Sequence, residues 1–181
     1  MSLLEKARKS VFTRLQNGNL KVENAVVIWT NFAGKPTAFN PAGGKRTFSL
    51  VLNEEVGEIL KEEGWNVKFR EPKLEGDDTL ITTEIVVNMD AVRPPLVKLY
   101  TKFKGRGKET DLVGDMVGQL DNIQIENIDV VVRPYNHGRP GLYSVKGYAQ
   151  EIRVIQAQDG YFDDKYADWG SDDDFDEEVE F

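Results

Sequence analysis

The chain has 181 residues, 40% of them hydrophobic, with no cysteine and one histidine, His137. That is enough for one domain with a sizeable core, and it excludes a disulfide framework, a cysteine nucleophile, and most zinc or Ser-His-Asp chemistries. The formal charge of −8 is held unevenly: residues 157–181 carry eleven Asp or Glu against one Lys, leaving 22 basic and 20 acidic residues in 1–156. A mildly basic body thus precedes a strongly acidic tail, an asymmetry typical of an interaction tail. No apolar run approaches the ~18 residues of a membrane span and the N-terminus lacks a signal-peptide core, so a soluble, intracellular protein with no membrane partner is expected.

In chain order, Leu3, Leu4, Ala7, Val11, Phe12 and Leu15 recur near a 3.6-residue period after Ser2, which predicts an amphipathic helix over 2–16 with Gly18 as its stop. Its other face carries Lys6, Arg8, Lys9 and Arg14, which could meet phosphate or an anionic surface, but so short a helix with Glu5 included makes a poor anchor and a solvated basic face is the favoured reading. The region 1–19 is therefore expected to be a helix packed on or appended to a body spanning 20–156. From Val22 the texture turns to β, then GKPTAFNPAGGKR reads as a loop. TFSLVL alternates with Phe48, Leu50 and Leu52 on one face, and Asn53 is placed to cap a helix over EEVGEILKEE closed by Gly64. WNVKFR puts Trp65, Val67 and Phe69 inward and Asn66, Lys68 and Arg70 outward.

EPKLEGDD reads as a turn or insertion and TLITTEIVVNM as a strand; Pro94 and Pro95 then interrupt pairing before LVKLYTKF. KGRGKET reads as a loop, 111–120 as a short helix weakened by Gly114 and Gly118, and IQIENIDVVVRPY and LYSVKGYAQEIRVI as two long strands around a hairpin loop, NHGRPG. About six or seven strands with two or three short helices predict a mainly β fold, a closed or nearly closed antiparallel barrel.

No phosphate-loop, nucleophile-elbow or H-E-x-x-H motif occurs, and the acidic tail lacks the D-x-D-x-D-G frame of a calcium loop, so neither an enzyme nor a bound metal or cofactor is expected. The informative pattern is cationic and aromatic. In VKLYTKFK, Lys98, Tyr100, Lys102 and Lys104 share one strand face, and Arg106 and Lys108 follow. Unpaired nucleic acid requires this pairing, with lysines tracking phosphates and a base stacking on the ring; an edge strand guarded by lysines has the same pattern. Trp29, Lys35, Phe39, Lys45, Arg46, Lys68, Arg70, Arg133, Tyr135 and Arg139 repeat the combination elsewhere. Trp29 and Phe39 have an alternative as core residues and Arg139 as part of a turn, and His137 is read as a loop hydrogen-bonding residue rather than a ligand.

A β-rich body with such residues, followed by a long acidic C-terminus ending in an aromatic, resembles OB-fold single-stranded-DNA-binding proteins of the phage-encoded kind. The resemblance implies a five-stranded OB-like barrel with extra strands or a hairpin, short helices and a disordered acidic tail. It implies binding of single-stranded DNA without strong sequence preference, during replication, recombination or repair. The tail would dock replication and recombination proteins through Asp172, Asp173, Asp174, Phe175, Asp176, Glu177, Glu178, Glu180 and Phe181. Val179 and Glu180 depart from the Ile-Pro of the common bacterial ending. A bacterial host cytoplasm is the implied location, and a homodimer is an allowed assembly. Two alternatives stay open: an acidic regulatory or DNA-mimic protein that binds basic protein surfaces, and an RNA-binding OB-fold protein.

Overall fold

The computed structural model of the chain describes residues 1–103, 106–138 and 143–157. Its first helix, α1 (Leu3–Arg8), starts at Ser2, whose hydroxyl accepts from the Glu5 amide at 3.1 Å, and buries Leu4 and Ala7. The sequence period predicted a helix to residue 16, yet β1 (Val11–Arg14) pairs antiparallel with β2 (Leu20–Glu23). Val11, Phe12 and Thr13 are branched or aromatic and fit a strand as readily as a helix. Ser10 breaks the helix by donating to the Asn24 carbonyl at 2.6 Å. Of the cations assigned to this segment, Arg8 is bonded to Glu54 at 2.9 Å and Arg14 to Glu63 at 2.6 Å, so both dock the segment onto the second helix.

The next elements are β3 (Val27–Asn31), β4 (Thr47–Val51), α2 (Glu54–Glu62), β5 (Val67–Arg70) and β6 (Leu80–Val86). After them come β7 (Leu96–Phe103), β8 (Arg106–Asp111), a 3-10 helix (Gly114–Asn122), β9 (Ile125–Asn136) and β10 (Val145–Gln156). Asn53 caps α2 as its sequence suggests, its side chain accepting from the Val56 amide at 2.8 Å. The segment expected as a short helix over 111–120 is the 3-10 helix, where Gly114 and Gly118 disfavour an α-helix. KGRGKET, expected as a loop, supplies most of β8; its pairing with β7, rather than any local propensity, makes it a strand.

The strand path runs β1-β2-β9-β10-β6-β4-β3. The path closes from β2 to β3, which are halves of one bent segment: Asn24 turns the corner at φ 55°, the Ala25 amide bonds the Ile128 carbonyl at 2.8 Å, and the Val51 amide bonds the Val26 carbonyl at 2.9 Å. The bent β2/β3, β4, β6, β10 and β9 thus form the five-stranded OB-like barrel. Not every ladder is antiparallel, because β10 runs parallel to β6 at Gly147–Tyr148 and, beyond a bulge at Ala149/Glu151, parallel to β7. Inside lie Phe48, Leu50, Leu52, Trp65, Ile85, Val132 and Ile152, all buried. Gly147 is required at its position, since a Cβ there would sit 2.6 Å from the Trp65 ring and 2.8 Å from Ile85.

Candidate nucleic-acid interface

Strand alternation sends every second residue of the barrel wall outward, and strand register decides which of these become neighbours. Lys68 on β5 lies opposite Thr82 on β6, Glu84 opposite Ser49, Lys146 opposite Tyr135, and Tyr148 opposite Arg133. One continuous outer face therefore carries Lys68, Arg70, Arg133, Tyr135, Lys146 and Tyr148.

Two aromatic residues complete it in an unusual backbone state. Trp29, at a register shift in β3, has φ 50°, and Tyr143, in the turn just before β10, has φ 69°. Left-handed backbone is uncommon for bulky side chains, and such strain concentrates at binding and catalytic sites. Both rings are more than half exposed. Each also carries a cation from β5: the Arg70 guanidinium lies 4.8 Å from the Trp29 ring centre and the Lys68 ammonium 5.5 Å from that of Tyr143. Arg70 is oriented by donating to the Thr82 hydroxyl at 2.7 Å. Further along, the Tyr135 ring meets His137 and Tyr148 edge-on at 4.9 and 6.1 Å, and Arg133 lies 5.7 Å from the Tyr148 ring.

The β7–β8 hairpin is built differently. Glu109 lies opposite Tyr100 and Asp111 opposite Lys98. Lys98 bonds Glu109 at 2.7 Å and Asp111 at 3.0 Å. The Tyr100 hydroxyl donates to Glu109 at 3.2 Å and accepts from Arg153 at 2.6 Å. Hydrogen bonds to Glu109 and then Asp111 hold the Lys98 ammonium above its ordinary pKa, and the bond from Lys98 holds the Glu109 carboxyl below its own. Arg153 is likewise raised, first by its bond to Glu151. Here cations and carboxylates satisfy one another.

Of the residues expected from sequence, the structure brings Trp29, Lys45, Lys68, Arg70, Arg133 and Tyr135 onto the barrel face. Lys35 and Phe39 stand exposed on the loop from Phe32 to Arg46, Phe39 completely so. Arg46 turns inward: its guanidinium donates to the Phe32 carbonyl at 2.7 Å and to Asp115 at 2.6 Å, latching this loop to the 3-10 helix. Lys102 and Lys108 are exposed on the β7–β8 hairpin, and Arg106 begins β8. Lys104, Arg139 and the tail residues 172–181 lie outside the described residues. Sequence reasoning missed Tyr143, Lys146 and Tyr148. The shared parity of the last two in LYSVKGYAQ could have revealed them, whereas nothing local marks Tyr143.

Residues 9–180 match the family described as "Putative phage ssDNA-binding domain". The chain belongs to this family. Among curated proteins no sequence matches this chain. Among solved structures it is similar to the single-stranded DNA-binding protein from bacteriophage Enc34 in complex with ssDNA, at 11% identity and TM-score 0.49, covering 84% of this chain and 98% of that one. It is also similar to gp2.5, a single-stranded DNA binding protein encoded by bacteriophage T7, at 14% identity and TM-score 0.33, covering 89% and 96%.

Proposed function

We propose that this phage-type ssDNA-binding protein holds single-stranded DNA without strong sequence preference along the outer face of β4, β5, β6, β9 and β10. The observation that carries this reading is the pair Trp29 and Tyr143, two exposed rings on strained backbone, each braced by a β5 cation. Base stacking on such rings contributes about 1–3 kcal/mol per base whatever the base, and the cations serve the phosphates. OB barrels bind oligonucleotides on their second and third strands and on the loops between strands one and two and between four and five. The corresponding parts here are β4, β6, the Phe32–Arg46 loop and the turn between β9 and β10.

In this reading the protein acts by occupancy rather than catalysis, protecting single strands during replication, recombination or repair in the cytoplasm of a bacterial host. Residues 157–181 act as a tethered acidic peptide that competes weakly for the basic face and recruits partner proteins through the acids and Phe181. A ring with a terminal carboxylate suits a small apolar pocket rimmed by Arg or Lys.

Fluorescence titration with single-stranded DNA, duplex DNA and single-stranded RNA of equal length tests the binding. Single-stranded DNA is expected to bind tightest, with a log-log salt slope of about −0.7 per phosphate neutralised. Equal affinity for duplex, or a flat salt response, overturns the reading, and tighter RNA binding redirects it to RNA. Deleting Phe181 alone is expected to leave DNA affinity unchanged and to abolish capture of replication proteins from the host; undiminished capture removes the docking role.

A further inference from the structure

On the outer face, β6 changes partner: β5 pairs with it through Thr83, and β10 takes over at Ile85. Glu84 stands at this fork. Between the diverging strands lies a recess of about 290 Å³ lined by Lys45, Asn66, Glu84, His137, Tyr143 and Lys146, with Gly147 among its walls. Its size is at the lower bound of small-molecule pockets, ~300–1,000 Å³. Its rim is held by backbone bonds from the His137 amide to the Ser144 carbonyl at 2.8 Å and from the Val145 amide to the Gly64 carbonyl at 3.1 Å.

The carboxylate needs an account. On a face that receives a polyanion, an acid repels phosphate and lowers affinity. Glu84 is offset by Lys45, whose ammonium lies 3.3 Å away, and both side chains remain about half exposed. Ion pairs of that kind contribute little to stability, so pairing alone does not explain the acid. Its chemistry does: a carboxylate only accepts hydrogen bonds, and among base edges an exocyclic amino group offers it donors, whereas thymine presents O4 at the equivalent position. Among the described residues the Asn66 side chain has no hydrogen-bond partner and can both donate to and accept from the rest of that edge.

Resting on the ssDNA-binding reading above, we infer that this recess takes one base out of the strand against Tyr143, and that Glu84 makes it favour an amino-bearing base over thymine. It is a single discriminating subsite within an otherwise sequence-tolerant path. Lys45 keeps the carboxylate neutralised, and Lys146 and His137 line the side through which the adjoining phosphate passes.

The test compares oligo(dC) with oligo(dT) of equal length in the full chain and in Glu84→Gln. Both are pyrimidine tracts, so ring size is matched. The ratio of the two Kd values within each protein, compared between proteins, cancels the stacking of the free strands and the charge removed by the substitution. Gln accepts or donates according to its rotamer, so the dC-over-dT ratio is expected to fall about fivefold in Glu84→Gln, the low end for a base-edge contact. Glu84→Ala is expected to lower it at least as far. If the wild-type chain binds both oligomers and neither Glu84→Gln nor Glu84→Ala changes its dC-over-dT ratio, the base-reading role is overturned while strand binding stands. If it binds neither, both readings fall.

Discussion

The barrel face and the β7–β8 hairpin have nearly the same ingredients on their strands, lysines and arginines beside tyrosines, and use them in opposite ways. On the hairpin the opposing strand supplies Glu109 and Asp111, so Lys98 and the Tyr100 hydroxyl are consumed in an internal network with Arg153. On the barrel face Lys68 and Arg70 have Tyr143 and Trp29 as partners, and these rings satisfy the cations without neutralising them. A cation over a ring keeps its charge for a phosphate; a cation between two carboxylates does not. The difference lies in what each strand faces, not in the strand's own residues.

The largest expected effect separates the two regions directly. Trp29→Ala combined with Tyr143→Ala is expected to weaken single-stranded DNA binding by about 2–6 kcal/mol, as two stacking platforms are lost. Tyr100→Ala should leave affinity within about twofold, and a fluorescence titration of the folded proteins checks both. An equal loss from Tyr100→Ala would show that the hairpin, not the barrel face, carries the bases.

Next in size is the salt response. If Lys68 serves a phosphate as proposed, Lys68→Met should reduce the log-log salt slope by about 0.7. Lys98→Met should leave the slope unchanged, because that ammonium already serves Glu109 and Asp111. Parallel titrations from low to moderate salt distinguish them.

The smallest effect concerns stability and belongs to the hairpin alone. Glu109 has its pKa lowered in the folded protein from an ordinary 4.5, chiefly by the bond from Lys98. Its contribution is therefore complete above that value and is lost as pH falls below it through the folded pKa. Thermal melts between pH 7 and 3 should show a slightly shallower acid decline for Glu109→Gln than for the parent chain, with no change in DNA affinity at pH 7. A steeper decline in the variant would mean that the network is not what the hairpin gains from Glu109.

The sequence by itself determined a good deal. The Asn53 cap and α2, the alternation that buries Trp65 and Val67 while exposing Lys68 and Arg70, and the long β9–β10 hairpin all follow from local patterns, since caps and two-residue periods involve only neighbours in the chain. The mainly β barrel was legible in the same way, from many short strands punctuated by turns, while its OB-like character came from the resemblance to phage-encoded single-stranded-DNA-binding proteins. Tertiary structure decided the rest. Whether Val11–Arg14 continued a helix depended on β2 being available to pair with it, and KGRGKET became a strand because β7 lay alongside. Arg46 points inward because Phe32 and Asp115 come within reach of it. Tyr100 and Trp29 look alike in sequence, each a ring in a β run with basic residues elsewhere in the chain. Tyr100 met Glu109 across a ladder and Trp29 met Arg70 across the barrel wall, and such encounters depend on register between paired segments, which no local pattern encodes.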